Sequence, residues 1–392
     1  MRHIYDNIHG NIEFTDIETK FIDNRWFKRL KRIKQLGLLD HVWPCASHTR
    51  FEHSLGVAYL SSSYINTLIK NNHGNSTSSR FTVSDTDKQC IKLAGMLHDV
   101  GHGPFSHVFD TALVKKYKNK KLNHETRSRN IVEHIFKEIG TKDGFSDATM
   151  IDKIKDMIEP SNKDAYNTLP IFNIVNNTIN SIDVDKFDYL LRDPKHIGLD
   201  YSFNYNRIFI KSSVIGNDIV YDSSITDNIM DLFLTRHRFH RDIYNHKTVK
   251  IIELMFEDVL CKYMDTIDIN DDFISLDDSI YTNILYSTNK DLEPCKKILQ
   301  KIENRDLYKQ LWCGNKYDFD INDHKFAEYK ENELKIVNMK FNLCNDDNCP
   351  LTNVKFIKDG IVNFGTVENM NKLYPNKYEQ NITIVCTSVG YK

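Results

Sequence analysis

Between Leu97 and His107 the chain reads Leu-His-Asp-Val-Gly-His-Gly-Pro-Phe-Ser-His, which sets three histidines and an aspartate in an apolar, glycine-rich frame. Polar groups of this kind are tolerated inside a protein only when something satisfies them. The apolar spacing of Ile91, Ala94 and Leu97 predicts a buried helix, begun at Asp85 or Asp87, that delivers His98 and Asp99 at its end. Gly101, Gly103 and Pro104 then break it, so that His102 and His107 leave from a tight turn. Neighbouring imidazole and carboxylate groups can ligate one divalent ion, and these donors suit Mn, Mg, Fe, Zn or Ni. A lone His-Asp pair is a weak signal, so the reading depends on partners elsewhere in the chain.

The chain is long enough, at 392 residues, for two or three domains or for one large lobe with an appendage. Its 52 basic and 54 acidic side chains leave a net charge of −2, so an anion site has to be local. The N-terminal residues are charged and lack an apolar core, and the longest uncharged run, Ser54 to Ile69, is too short to span a bilayer. We therefore expect a soluble, intracellular protein of cytoplasm or nucleus, with no membrane partner. The eight cysteines form no CxxC pair, which fits free thiols in a reducing compartment. Cys344 and Cys349 flank a short polar loop but make a poor zinc site by themselves.

Ile22, Trp26, Leu30 and Ile33 predict an amphipathic helix over residues 22–36, ended by Gly37. Its other face carries Arg25, Lys28, Arg29, Lys31, Arg32 and Lys34, expected to be solvated, with polyphosphate or nucleic-acid contact as the alternative. Ser47 can cap a helix through Phe51 and Leu55 that places Arg50 and His53 on one face. A lone histidine there is usually a satisfied polar residue. An arginine one turn away is what a phosphate beside a bound ion would need.

Asn123-His124-Glu125 opens a further helix. Residues 171–193 predict another, with Asp185, Tyr189 and Asp193 spaced i, i+4, i+8 and Lys186 and Arg192 close to the same side. Helices are expected to persist to Leu311, through a basic-aromatic cluster at 235–247. Alternation at Met339, Phe341 and Leu343, at Val354 and Phe356, and at Ile382, Ile384 and Cys386 then predicts strands, with Asp359-Gly360 as a hairpin turn. The fold class is mainly α: a helical lobe over residues 1–310 and a small α+β appendage with an antiparallel sheet over 311–392.

His53, His98, Asp99 and Asp185 come from three separate predicted helices. Two imidazoles and two carboxylates leave open positions on an octahedral ion, as a catalytic site requires. Arg50, His102, His107, His124 and Lys186 lie beside them in sequence and strengthen the assignment.

With these residues in place the chain resembles the HD superfamily of metal-dependent phosphohydrolases, and within it the dNTP triphosphohydrolases related to the vertebrate SAM- and HD-domain enzyme. The matching strings are Asp6–Ile12, Ile33–Gly37, Ala46–Val57, Leu93–Asp110, Ile182–Asp193 and Tyr244–Lys247. The resemblance implies hydrolysis of a dNTP to deoxynucleoside and inorganic triphosphate. His124 would be the general acid, held by Asp110. His102 and His107 would contact phosphate oxygens, Arg50, Lys186 and Arg236 would neutralise the triphosphate, and Tyr189 would add a hydrogen bond. Gln35 and Asp193 would bind the sugar 3′-hydroxyl, Leu36 would line the sugar pocket, and Tyr244 would exclude a ribose 2′-hydroxyl. It also implies a homo-oligomer, dimer or tetramer, with a GTP or dGTP activator between subunits. The matching effector positions hold Arg2, Asp23, Lys28 and Lys31. At a second effector site Asn228 is kept, but Asp222 and Ser224 stand where the family has basic residues. The other readings are an HD phosphohydrolase of different specificity (nucleotidase, phosphodiesterase or nuclease), and a protein that binds single-stranded nucleic acid through the Arg25–Lys34 face.

Overall fold

The computed structural model describes residues 1–72, 81–119, 123–140, 148–161, 169–200, 203–330, 333–343, 349–365 and 379–389. Cys344 and most of the loop expected after Asn71 lie outside these residues. Cys349 is buried. Among the described residues no helix is long and apolar enough to cross a membrane.

The chain opens with a hairpin of β1 (Arg2–Asp6) and β2 (Gly10–Phe14). Two short helices follow, α1 (Asp16–Asp23) and α2 (Arg25–Lys28). The central helices are α3 (Arg50–Asn72), α4 (Asp85–Leu97), α5 (His107–Tyr117), α6 (His124–Ile139), α7 (Ala148–Ile158) and α8 (Val184–Ile197). The long α3 packs against both α4 and α8, which brings residues far apart in sequence to one place. Then come α9 (Tyr205–Ile210), a hairpin of β3 (Ser212–Ile215) and β4 (Asp218–Asp222), α10 (Thr226–Phe239) and α11 (Lys247–Tyr263). After α11 the lobe is completed by α12 (Ile280–Leu285) and α13 (Glu293–Glu303). One continuous core includes Leu60, Leu97, Phe109, Phe187 and Phe256, and each such side chain adds about 1.5–3 kcal/mol on burial.

The remaining strands are β5 (Lys309–Asn315), β6 (Leu334–Asn342), β7 (Lys355–Lys358), β8 (Ile361–Phe364) and β9 (Glu379–Thr387). β5, β9 and β6 form an antiparallel sheet; the alternation predicts β6 and β9 but not β5. Lys358 pairs with Ile361 around the Asp359-Gly360 turn, where both turn residues take positive φ. The mainly α class with small sheets is borne out. One sheet is nevertheless mixed, because β7 runs parallel to β4 and so attaches to the hairpin after α9.

Five local expectations need correction. The helix over 22–36 is broken at Asn24, whose side chain accepts from the Trp26 N–H and starts α2 instead. It ends in a 3₁₀ turn at Arg32, since Lys34 and Gln35 bridge sideways to Thr49 and His48. The basic face is not solvated throughout: Arg29 is fully buried. α3 begins at Arg50, and the Thr49 N–H is satisfied by Glu52, so Ser47 is not its cap. The helix expected from 171 begins only at Val184. Asn177 and Asn180 accept backbone N–H groups two or three residues on, which holds a looped chain up to the Asp183 cap. Finally, β5 starts before Leu311, ahead of the expected end of the helices.

Candidate active site

α4 ends at Leu97 because the backbone turns sharply through Gly101 and Gly103. A Cβ at Gly101 would lie 2.2 Å from the His124 carbonyl oxygen, so only glycine lets α6 come this close. Phe105 and Ser106 then both adopt positive φ, a strained arrangement that persists only where neighbours hold it. Here the Phe105 N–H donates to Asp278 (2.6 Å), and the Ser106 hydroxyl bridges Arg50 and the Lys34 carbonyl. Arg29 donates to the carbonyls of Leu276, Val100 and His102 and so fixes the loop from below.

His53, His98, Asp99 and Asp185 converge. His53 Nε2 lies 3.1 Å from Asp185 and 3.7 Å from Asp99, and His98 Nε2 lies 3.5 Å and 3.3 Å from the same two carboxylates. Each imidazole is fixed from behind at Nδ1, His53 by Asp188 (2.7 Å) and His98 by the Gly95 carbonyl (2.8 Å). Both Nε2 atoms therefore point inward, and that of His98 is buried without a hydrogen-bond partner. An orphaned imidazole nitrogen facing two carboxylates suits a divalent cation, and outer partners of this kind commonly set ligand orientation. Burial opposes protonation of His53, but its hydrogen bonds with Asp185 and Asp188 push its pKa up to about 10. Burial would raise Asp99, yet the Arg50 guanidinium and nearby histidines hold it well below the usual carboxylate range. The four residues carry the donor chemistry of an open catalytic ion site.

A cavity of about 520 Å³ opens beside this set, lined among others by Asp99, Asp185, His102, His107, His124 and Arg50. His124 Nδ1 bonds Asp110 at 2.7 Å, and its ring stacks on His102 with centroids 3.7 Å apart. Asp110 is held ionised, despite burial, by His124 and Arg127. Burial and the charge of Arg50 keep His102 neutral. Across the cavity stand Gln35, Leu36, Tyr189, Asp193 and Tyr244. Tyr244 donates to Asp193 (2.5 Å), and a π turn over His240–Tyr244 brings both of its end residues to the wall.

With the HD pair, its two distal partners and the cavity thus assembled, comparison with known families is direct. The HD domain model matches residues 50–193 and the HD associated region matches residues 203–341. The chain belongs to the HD family. This HD protein is 33% identical over 407 residues to the deoxynucleoside triphosphate triphosphohydrolase SAMHD1 homolog of Dictyostelium discoideum, covering 98% of this chain and 77% of the relative. It is 31% identical over 455 residues to SAMHD1 of Homo sapiens, covering 100% of this chain and 71% of that one. To SAMHD1 of Bos taurus it is 37% identical over 348 residues, with 79% and 58% covered.

Two of the substrate residues expected in this HD site stand outside the cavity lining. Lys186 gives its ammonium to the buried Asp183 (2.7 Å), and Arg236, half-buried, lies close enough to act on the charges of Tyr189 and Tyr244. Among the residues expected at an effector site, Arg2 and Lys28 both pair with Asp23 at 3.2 Å, whereas Lys31 lies over the Phe51 ring. Asn228 accepts from Arg207 (3.0 Å), apart from that group. Sequence reasoning missed His48, which shares a hydrogen bond with Asp193 at 2.8 Å, and Asp188 behind His53. It also missed Lys250, Glu253, Glu257 and Asn338 on the cavity wall. The spacing of Asp188 three residues after Asp185 was the available signal for one of these.

Proposed function

We infer that this chain is a metal-dependent dNTP triphosphohydrolase, with the metal ligands, the acid and the sugar wall assigned as follows. The observation that carries it is that one cavity is lined by Asp99 and Asp185 of the proposed ligand set, by His124 of the His124–Asp110 pair, and by Gln35, Asp193 and Tyr244. The names of its relatives point to the same reaction. A divalent ion held by those four residues supplies, when bound, Lewis-acid neutralisation at the α-phosphate and a nucleophile at neutral pH.

Water attacks phosphorus, an O–P bond forms and the bond to the 5′-oxygen breaks, leaving deoxynucleoside and intact triphosphate. His124 delivers the proton that the 5′-oxygen needs. Asp110 fixes its Nδ1–H, so Nε2 faces the cavity as the proton-carrying atom. The neutral His102 donates a hydrogen bond to a phosphate oxygen, beside His107, while Arg50, Lys186 and Arg236 offset the triphosphate charge. Tyr189 contacts phosphate, Gln35 and Asp193 hold the 3′-hydroxyl, and Leu36 lines the sugar pocket. Tyr244, tied to Asp193, fills the space a 2′-hydroxyl would need.

We carry a homo-oligomer, dimer or tetramer, and GTP or dGTP activation at Arg2, Asp23, Lys28 and Lys31 as parts of the same proposal. Single-stranded nucleic-acid binding on the Arg25–Lys34 face has less support, since Arg25, Arg32 and Lys34 are engaged by Glu138, Asp277 and Asp40. The test is incubation of the purified protein with each dNTP and rNTP plus Mn²⁺ or Mg²⁺, with and without GTP, resolving products by ion-pair chromatography. Deoxynucleoside and triphosphate are expected. Stepwise release of single phosphates, or no turnover with any dNTP, would refute the assignment.

A further inference from the structure

Asp188 is fully buried on α8, one turn beyond Asp185, and its two oxygens take four donors. Oδ2 accepts from His53 Nδ1 at 2.7 Å and from Arg192 Nε at 2.8 Å. Oδ1 accepts from His9 Nε2 at 2.7 Å and from Arg192 Nη2 at 3.0 Å. The remaining arm of Arg192 reaches Asp6 at 2.8 Å. Asp6 in turn accepts the backbone N–H groups of Ile8 and His9, at 2.8 and 2.9 Å, which sets the turn of the β1–β2 hairpin. The ring of His9 packs 5.1 Å from that of Tyr59 on α3. There is no slack: a Cβ at Gly56, one turn after His53, would lie 1.9 Å from Asp188 Oδ1.

We propose that His9 and Asp188 are positioning residues for His53, so that the N-terminal hairpin forms the outer wall of the metal centre. An ionised carboxylate only accepts, so both imidazole nitrogens that touch Asp188 carry hydrogen. For a neutral His53 this leaves the lone pair on Nε2, the atom that faces Asp99 and Asp185. His9 occupies a lone pair of Asp188 that would otherwise allow the carboxylate to rotate, and Arg192 keeps the carboxylate charged in a dry setting. A buried ion pair that merely docked the hairpin would need neither imidazole.

The proposal rests on His53, His98, Asp99 and Asp185 being the ligands, and the experiment separates the two. Wild type, His9→Phe, His9→Gln and Asp99→Ala are stripped with chelator and titrated with Mn²⁺ by calorimetry, with thermal unfolding of each apoprotein run in parallel. His9→Phe keeps the volume and loses the hydrogen bond, and we expect Mn²⁺ affinity to fall about 10-fold, the lower end of the loss usual for an outer partner. His9→Gln places an amide N–H where Nε2 stood and restores the affinity. Wild-type affinity in His9→Phe overturns the proposal, as does an equal loss in His9→Gln. Wild-type affinity in Asp99→Ala would instead remove the ligand set itself, and the positioning role with it.

Discussion

Replacing Arg29 by methionine tests the reading of the loop after Asp99. The guanidinium is fully buried and donates to three backbone carbonyls, two of them in that loop, at Val100 and His102. It also lies 4.6 Å over the Phe273 ring. Burial is severe enough to bring its pKa down to about 9. Methionine matches the length of the stem and fills the space, so the loss is chiefly of donors. Each abandoned buried acceptor costs about 1–3 kcal/mol. Relief from burying the cation offsets part of that, and we expect a net loss of about 3 kcal/mol. Urea unfolding followed by circular dichroism measures it. Turnover should drop as well at a temperature where the variant stays folded, because His102 and the strained Phe105-Ser106 pair lose their support. A loss under about 1 kcal/mol with unchanged turnover would refute the idea that Arg29 holds this loop.

The other expectations concern the site itself. His98→Ala or Asp99→Ala should abolish hydrolysis together with bound metal, measured by elemental analysis after dialysis. His124→Ala should retain the metal and lose about 10²–10⁴-fold in kcat, as for a missing general acid; metal loss equal to that of Asp99→Ala would remove His124 from that role. Tyr244→Ala should raise the rNTP:dNTP ratio of kcat/KM by roughly 10-fold or more, and an unchanged ratio would locate sugar selection elsewhere. Burial raises the Asp278 carboxyl to about 7, against the pull of the Lys34 and Phe105 N–H groups. Its folded pKa then exceeds the unfolded value, so the folded state binds more protons between pH 4 and 7 and this contribution to stability declines as pH rises through that window. Asp278→Asn should flatten this part of the stability profile, and an unaltered profile would assign it to other groups.

Much of the architecture is legible in the sequence because it follows periodicity. Ile91, Ala94 and Leu97 announce α4, and Met339, Phe341 and Leu343 announce β6. The break at Asn24 and the delayed start of α8 at Val184 were not legible, because single asparagine side chains decided them against an apolar pattern that continues past both. Arg29 looks like any basic residue on an amphipathic face; only the arrival of Leu276, Val100 and His102 beside it gives it three carbonyls. The site divides in the same way. His98 and Asp99 declare themselves by their frame, and the resemblance of the chain to its family suggests the rest of the expected set. His48, His9 and Asp188 act through other side chains; only the spacing of Asp188 from Asp185 was a local signal, and nothing local marks His48 or His9, whose partners lie far along the chain.

The parallel pairing of β4 with β7 also governs how the chain is made. Tyr221 and Asp222 find their partners only when Phe356 and Ile357 have been synthesised. At ribosomal speed that is a wait on the order of ten seconds. For that interval β4 presents an open row of N–H and C=O groups, which is a template for another strand. Nascent chains on one message are close neighbours, so the stretch between residues 222 and 356 sets how long this edge stays open to a strand from another copy.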